Sequence, residues 1–323
     1  MEQELTALKL NETWSIIDLP LGKKPIDCKW IYKFKFHADR TNERAKQLDV
    51  NNAFLYGKLD EEIYMKPPLG HPAAKISKVC RLQKSLYGLR QASRQWNTKL
   101  SSTLAEFGFI QSKLDYSLFT KHTHTSFVAL LVYVDNIILM SSGVASREAV
   151  KHFLETKFKI KTLGSLKYFL GMEIAQSQHG IQLCQHKYAL DILSETSLLA
   201  SKPSLMPMEP NIKLSKDEEE PFNDPALYRK LVGKLLYLIN IRPDLSNNIH
   251  LLSQFMDTPK LPHYNAVIKV LKYLKSTPGQ GLFFLASSKP EVVAYSDANW
   301  ANCLDTRRST IGFCVFIGNS LVS

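Results

Sequence analysis

Residues 128–143, VALLVYVDNIILMSSG, constrain the fold of this chain more than any other segment. Apolar, β-prone residues lie on both sides of a short polar interruption at Asp135 and Asn136. Two such runs around a tight turn are typical of a β-hairpin, and we place the turn at Asp135–Asn136. The run that begins at Phe127 is too short to span a bilayer. The segment therefore predicts a sheet with an acidic hairpin tip, and no membrane partner.

Length, charge and cysteine usage bound the class of protein. The 323 residues, 45% of them hydrophobic, are enough for two or three packed domains. Lys and Arg number 41 against 30 acidic residues, and the net charge of +11 suits a nucleic acid partner. A soluble protein with a basic surface explains the charge equally well. Five widely spaced cysteines without a CxxC pair predict a reducing, intracellular location and no zinc finger.

Helical and strand patterns are mixed along the rest of the chain. Apolar residues recur at helical spacing before and after Trp96, and basic amphipathic helices are predicted within residues 228–275. Residues 166–185 read as two strands around a turn at His179–Gly180, and strand patterns return after residue 281. The predicted fold class is therefore α+β.

Two aspartates are candidates for catalytic metal ligands. Asp49 follows a short apolar stretch, and Asp135 lies at the predicted hairpin tip, so a sheet that joined these strands would set the two carboxylates side by side. Phosphoryl transfer needs carboxylates on rigid elements to hold divalent metal, and Mg²⁺ prefers such oxygens. Taken singly, each aspartate fits a capping or turn role better than a catalytic one.

Longer motifs point to one family. In order they are LDVNNAFLYGKLDEEIYMKPPLG, VCRLQKSLYGLRQASRQWNTKL, LLVYVDN, LKYFLGMEI, LVGKLLYL and TPGQGLFF. The series resembles the reverse transcriptase of copia-type LTR retrotransposon Pol polyproteins over essentially the whole chain. The resemblance implies a right-hand polymerase: a remnant of the fingers (residues 1–46), a palm (47–185), thumb and connection helices (186–280) and an incomplete ribonuclease H-like α/β segment (281–323).

The resemblance also implies roles for single residues. Asp49 and Asp135 are the metal-binding carboxylates, with Mg²⁺ or Mn²⁺ as cofactor. Phe54 corresponds to the aromatic gate beneath the incoming sugar, although it also fits a plain core position. The remaining contacts to nucleotide and primer-template fall on Gly88, Arg90, Gln91, Arg94, Tyr133, Phe169, Leu170 and Gly171.

Ligands and location follow from the same resemblance. It implies an RNA or DNA primer-template and deoxynucleotides as partners, in the cytoplasm within virus-like particles and in the nucleus. Asp297 matches the first metal ligand of the ribonuclease H domain, whose partner acids lie downstream in the family. We therefore expect that nuclease site to be incomplete and inactive.

Two departures from the family bear on activity. Asn136 replaces the second aspartate of the hairpin motif YVDD, which weakens metal binding by one negative charge. In addition, Lys46 is followed directly by QLDV, where the family carries several dozen residues that include basic finger residues. We expect a reverse transcriptase fragment with little or no activity. The alternative is a catalytically silent remnant that binds nucleic acid.

Overall fold

The structure, a computed structural model, describes Leu8 and residues 11–28, 45–68, 71–72, 78–210, 212–217 and 220–323. The chain divides into two compact units, Met1–Leu166 and Lys167–Ser323. Most of the predicted fingers remnant, residues 1–46, lies outside the described residues. No helix in the described part of the chain is long and apolar enough to cross a membrane.

The first unit is built on two antiparallel sheets. Its strands are Trp14–Ile17 (β1), Ala45–Val50 (β2), Lys58–Met65 (β3), Val79–Lys84 (β4), Ile110–Gln111 (β5), Leu118–His122 (β6), Phe127–Tyr133 (β7), Asn136–Ser141 (β8) and Ile160–Ser165 (β9). The larger sheet has the order β5-β6-β7-β8-β2-β9, and the smaller has the order β1-β4-β3. Strand β2 is therefore paired on both sides, with β8 and β9.

Within the described residues of this unit, the helices that accompany these sheets are Ala92–Glu106 (α1) and Val144–Lys157 (α2). The predicted helical stripe is confirmed in α1, where Ala92, Trp96, Leu100 and Leu104 are buried. They belong to one apolar cluster with residues of the large sheet such as Leu130. Burial of this stripe holds α1 against the sheet, because each buried leucine or aromatic side chain contributes about 1.5–3 kcal/mol.

The second unit combines a helical core with two more antiparallel sheets. Its helices are His186–Glu195 (α3), Pro225–Leu238 (α4), Ser246–Ser253 (α5) and Leu261–Ser276 (α6). Its strands are Tyr168–Phe169 (β10), Met172–Ser177 (β11), Gly180–Cys184 (β12), Gly281–Leu285 (β13), Val292–Asn299 (β14), Thr310–Ile317 (β15) and Ser320–Leu321 (β16). The four helices share one buried apolar cluster, which confirms the predicted amphipathic helices.

The strands of the second unit form the sheets β10-β11-β12-β13 and β14-β15-β16. The turn between β11 and β12 is Gln178–His179, so the predicted turn at His179–Gly180 is wrong by one residue. Strand β13 pairs with β12, and a side chain at Gly281 would collide with the Leu183 carbonyl. The domain boundary at residue 281 stays a prediction.

Candidate active site

Asp49 lies on β2, the strand that is paired on both sides in the large sheet. Its partner in register is Asn136 on β8, and the Val50 N–H donates to the Asp135 carbonyl at 2.8 Å. A bond between these flanking residues marks Asp49 and Asn136 as a non-hydrogen-bonded pair, the type in which opposite side chains approach most closely. The Asp49 side chain is buried. The sheet thus brings residues 87 positions apart in the chain (136 less 49) face to face.

The hairpin turn consists of Val134 and Asp135, so the predicted turn at Asp135–Asn136 is wrong by one residue. Val134 has a φ of 55°, which is costly for a β-branched residue, whereas asparagine tolerates this region and made Asn136 the natural candidate. The Trp96 Nε1–H donates to the Val134 carbonyl at 2.7 Å. This hydrogen bond from α1 holds the turn from a distant part of the chain. Turn preferences describe neighbouring residues only, so they do not predict it.

Hydrogen bonds connect two side-chain amides and one carboxylate at the hairpin tip. The Asn136 Nδ2–H donates to Asp135 Oδ1 at 3.0 Å, and the Gln47 Nε2–H donates to Asn136 Oδ1 at 3.4 Å. Gln47 and Asp49 are two residues apart on β2, so their side chains lie on the same face of the sheet. Gln47 and Trp96 were missed as site residues from the sequence. The two-residue spacing to Asp49 is the signal that finds Gln47.

The chemistry of these side chains fits a hard divalent cation. Asp49 and Asp135 supply carboxylate oxygens, and Asn136 supplies a neutral amide, all groups that bind Mg²⁺ in proteins. Among the described residues, no group of three or more His, Cys, Asp or Glu side chains is placed to hold a metal ion. The donor atoms are therefore of the type that binds Mg²⁺, but the three side chains together carry two negative charges and not three.

Phe54 lies in a 3₁₀ turn, Ala53–Tyr56, directly after β2. Its ring is buried and lies 4.7 Å from the ring of Tyr87, which is exposed. Both rings line a cavity of about 410 Å³ together with Gly88. Gly88 has a φ of 97° and open space beside its Cα, which allows another molecule close to the backbone. Phe54 belongs to the buried cluster and also borders the cavity, so the gate and core interpretations both fit.

Arg90, Gln91 and Arg94 lie at the start of α1. Both arginine side chains are exposed, as phosphate contacts require. The Gln91 Nε2–H donates to Glu61 Oε2 at 3.4 Å, which connects this end of the helix to β3. Tyr133, the last residue of β7, is half exposed beside the hairpin tip.

The remaining predicted site residues lie in the second unit. Phe169 is buried, and Leu170 and Gly171, both with positive φ, form the turn between β10 and β11. The Tyr237 hydroxyl donates to the Leu170 carbonyl at 2.7 Å and ties this turn to α4. Asp297 is exposed on β14, opposite Gly312. The roles of these residues stay predictions.

Comparison with known proteins gives a consistent result. Residues 38–210 match the family "Reverse transcriptase (RNA-dependent DNA polymerase)". The whole chain aligns at 35% identity with 25% of the retrovirus-related Pol polyprotein from transposon RE2 of Arabidopsis thaliana, and at 31% identity with 28% of that from transposon TNT 1-94 of Nicotiana tabacum. The chain thus spans about a quarter of the length of these relatives.

The alignment with the RE2 polyprotein is longer than this chain. It extends over 369 residues and covers all of this chain, which has 323 residues, so several dozen aligned positions have no counterpart here. Among solved structures, the foamy viral protease-reverse transcriptase in complex with dsDNA has a TM-score of 0.55 at 13% identity. That match covers 99% of this chain and 64% of the viral chain. It shows a reverse transcriptase fold, with mixed helices and strands.

Proposed function

This chain belongs to the reverse transcriptase family, and we propose that it is a copia-type RNA-directed DNA polymerase domain with little or no present activity. The observation that carries the proposal is the close pairing of Asp49 with Asn136 beside Asp135. The position of Asp49 in this pair supports a polymerase site. The amide at Asn136 supports the loss of one carboxylate from that site. In this proposal residues 47–185 correspond to the palm, and residues 186–280, which contain α3 to α6, correspond to the thumb and connection.

The proposed chemistry is attack of a primer 3′-hydroxyl on a deoxynucleotide. Asp49 and Asp135 would hold Mg²⁺ or Mn²⁺, which when bound offsets negative charge on the transferring phosphoryl group. Phe54 would exclude a 2′-hydroxyl, and Arg90 and Arg94 would contact phosphates. A primer-template partner is supported by the net charge of +11 and by the duplex bound in the foamy viral structure.

Two features support weak activity. Asn136 contributes no charge toward the two metal ions of the proposed chemistry, so two carboxylates alone offset their four positive charges. The several dozen positions missing relative to the RE2 polyprotein would, if they lie after Lys46, remove basic residues of the fingers. A triphosphate carries about four negative charges, and its binding without those cations would be poorly offset.

Primer extension tests this function. Purified chain, an RNA template with an annealed DNA primer, deoxynucleotides and either Mg²⁺ or Mn²⁺ are expected to give no more product than the Asp49→Asn variant gives. A gel shift with the same primer-template separates loss of chemistry from loss of binding. Extension by the unaltered chain that disappears in Asp49→Asn would show that the polymerase is active and contradict this expectation.

A further inference from the structure

We propose that Gln47 is a positioning residue for the candidate metal site, because it sets which end of the Asn136 amide faces Asp135. The inference rests on the proposed function only in treating Asp49 and Asp135 as metal ligands. Gln47 itself is assigned no role by the motifs of the family resemblance, which begin at Leu48.

The geometry of the sheet places Gln47 close to Asn136. Gln47 pairs with Ile138 and Asp49 pairs with Asn136, so Gln47 lies diagonally across from Asn136 on the same face. Its Nε2 lies 3.4 Å from Asn136 Oδ1. Gln47 is half-buried, and the contact is diagonal, within the reach of a long side chain.

The two ends of the Asn136 side-chain amide differ chemically. A primary amide has an acceptor oxygen at one end and two N–H donors at the other. Because Gln47 donates to the oxygen of Asn136, the N–H end of Asn136 is directed at Asp135, to which it donates at 3.0 Å. A cation beside Asp135 would therefore meet an N–H donor where it needs an oxygen.

The effect of Gln47 on metal binding depends on the residue at position 136. A carboxylate there would accept from Gln47 through one oxygen and keep the second oxygen free for a cation. The same glutamine would then orient a metal ligand. Gln47 thus opposes metal binding when position 136 is an amide and favours it when position 136 is a carboxylate.

Titration of free Mn²⁺ by electron paramagnetic resonance tests this change of sign. In the natural chain, Gln47→Leu is expected to raise Mn²⁺ affinity about fivefold, since one hydrogen bond no longer holds the amide. In an Asn136→Asp background, Gln47→Leu is expected to lower affinity by about the same factor. The matched control is Gln176→Leu, at an exposed position of β11, which should change neither value. If Gln47→Leu changes Mn²⁺ affinity in the same direction in both backgrounds, or changes it in neither, the proposal is overturned.

A second measurement reports on the amide without metal. The side-chain NH₂ signals of Asn136 in a ¹H–¹⁵N spectrum should shift and exchange faster with water in Gln47→Leu, while the far-UV circular dichroism stays unchanged. Unmoved signals would overturn the role of Gln47. If Mn²⁺ binds no variant and these signals still move, the metal site fails while the amide orientation stands. If Asp49→Asn abolishes Mn²⁺ binding and Gln47→Leu has no effect, the inference alone fails.

Discussion

Replacing Arg242 with alanine is expected to lower the free energy of unfolding of the second unit by about 3–5 kcal/mol. Arg242 is 1% exposed, and its Nε–H and Nη2–H groups donate to Asp244 Oδ1 and Oδ2 at 2.9 and 2.8 Å. Its Nη1–H and Nη2–H groups also donate to the carbonyl and hydroxyl oxygens of Thr277, at 2.8 and 2.9 Å. The guanidinium thus joins the segment after α4 to the end of α6.

The effect is large because the substitution leaves the Asp244 carboxylate without its charged partner. Asp244 would keep a hydrogen bond from the Tyr273 hydroxyl at 3.1 Å but lose the charge that offsets its partial burial. Urea unfolding followed by circular dichroism at 222 nm measures the change. The matched control is Arg229→Ala, an exposed arginine with one bond of 3.4 Å to the Met256 carbonyl, which should cost less than about 1 kcal/mol. Equal losses in the two variants would contradict the role given to Arg242.

The same pair makes stability depend on pH. Burial acts to raise the pKa of the Asp244 carboxyl, but the hydrogen bonds and charge of Arg242, with the bond from Tyr273, outweigh it and hold the pKa below its ordinary value. A lowered pKa in the folded state gives stability that is present above the unfolded pKa and lost as pH falls through the folded pKa. The difference between the natural chain and Arg242→Ala should therefore shrink on acidification below the ordinary aspartate range. A difference independent of pH would contradict this explanation.

Asn136→Asp is expected to raise affinity for Mn²⁺ about tenfold or more, because it adds a carboxylate directly opposite Asp49. Without metal, the same change should destabilise the first unit by up to about 1 kcal/mol, since like charges directly opposite on a sheet repel. Saturating Mn²⁺ should reverse that loss, because a ligand that binds only the folded state stabilises it.

Thermal unfolding with and without Mn²⁺, together with a binding titration, checks both halves of this prediction. The control is Asn97→Asp, which adds the same charge at an exposed position of α1. That variant should leave affinity and metal-dependent stability unchanged. An Asn136→Asp variant that binds Mn²⁺ no better than the natural chain would show that position 136 is not a ligand position.

Regular periodicity made much of the fold predictable from sequence. The spacing of Ala92, Trp96, Leu100 and Leu104 predicts α1, and the two apolar runs around the polar pair predict the hairpin of β7 and β8. Turn positions were wrong by one residue twice, since local preferences favour asparagine and glycine at positive φ. At the hairpin tip the observed turn has Val134 in that region, anchored by Trp96 from a distant helix.

Sequence motifs named the candidate site residues but not the contacts between them. Asp49 and Asp135 carry chemistry that motifs reveal, but the pairing of Asp49 with Asn136 depends on the register of β2 against β8. Gln47 acquires its contact through the same register. The sequence alone does not distinguish Arg242 from the exposed charged residues. Its partner Thr277 is 35 positions away, and only the folded helices bring the two residues together.

We propose that the two departures from the family, the amide at Asn136 and the segment expected after Lys46, and not a different fold, have silenced a polymerase site. Primer extension by a repaired series tests it most directly. The series is the natural chain, Asn136→Asp, a chain in which the segment expected after Lys46 is supplied from the RE2 polyprotein, and a chain with both repairs. We expect product that requires Asp49 from the doubly repaired chain, and little or no product from the natural chain. No product from a folded, primer-template-binding, doubly repaired chain would contradict it.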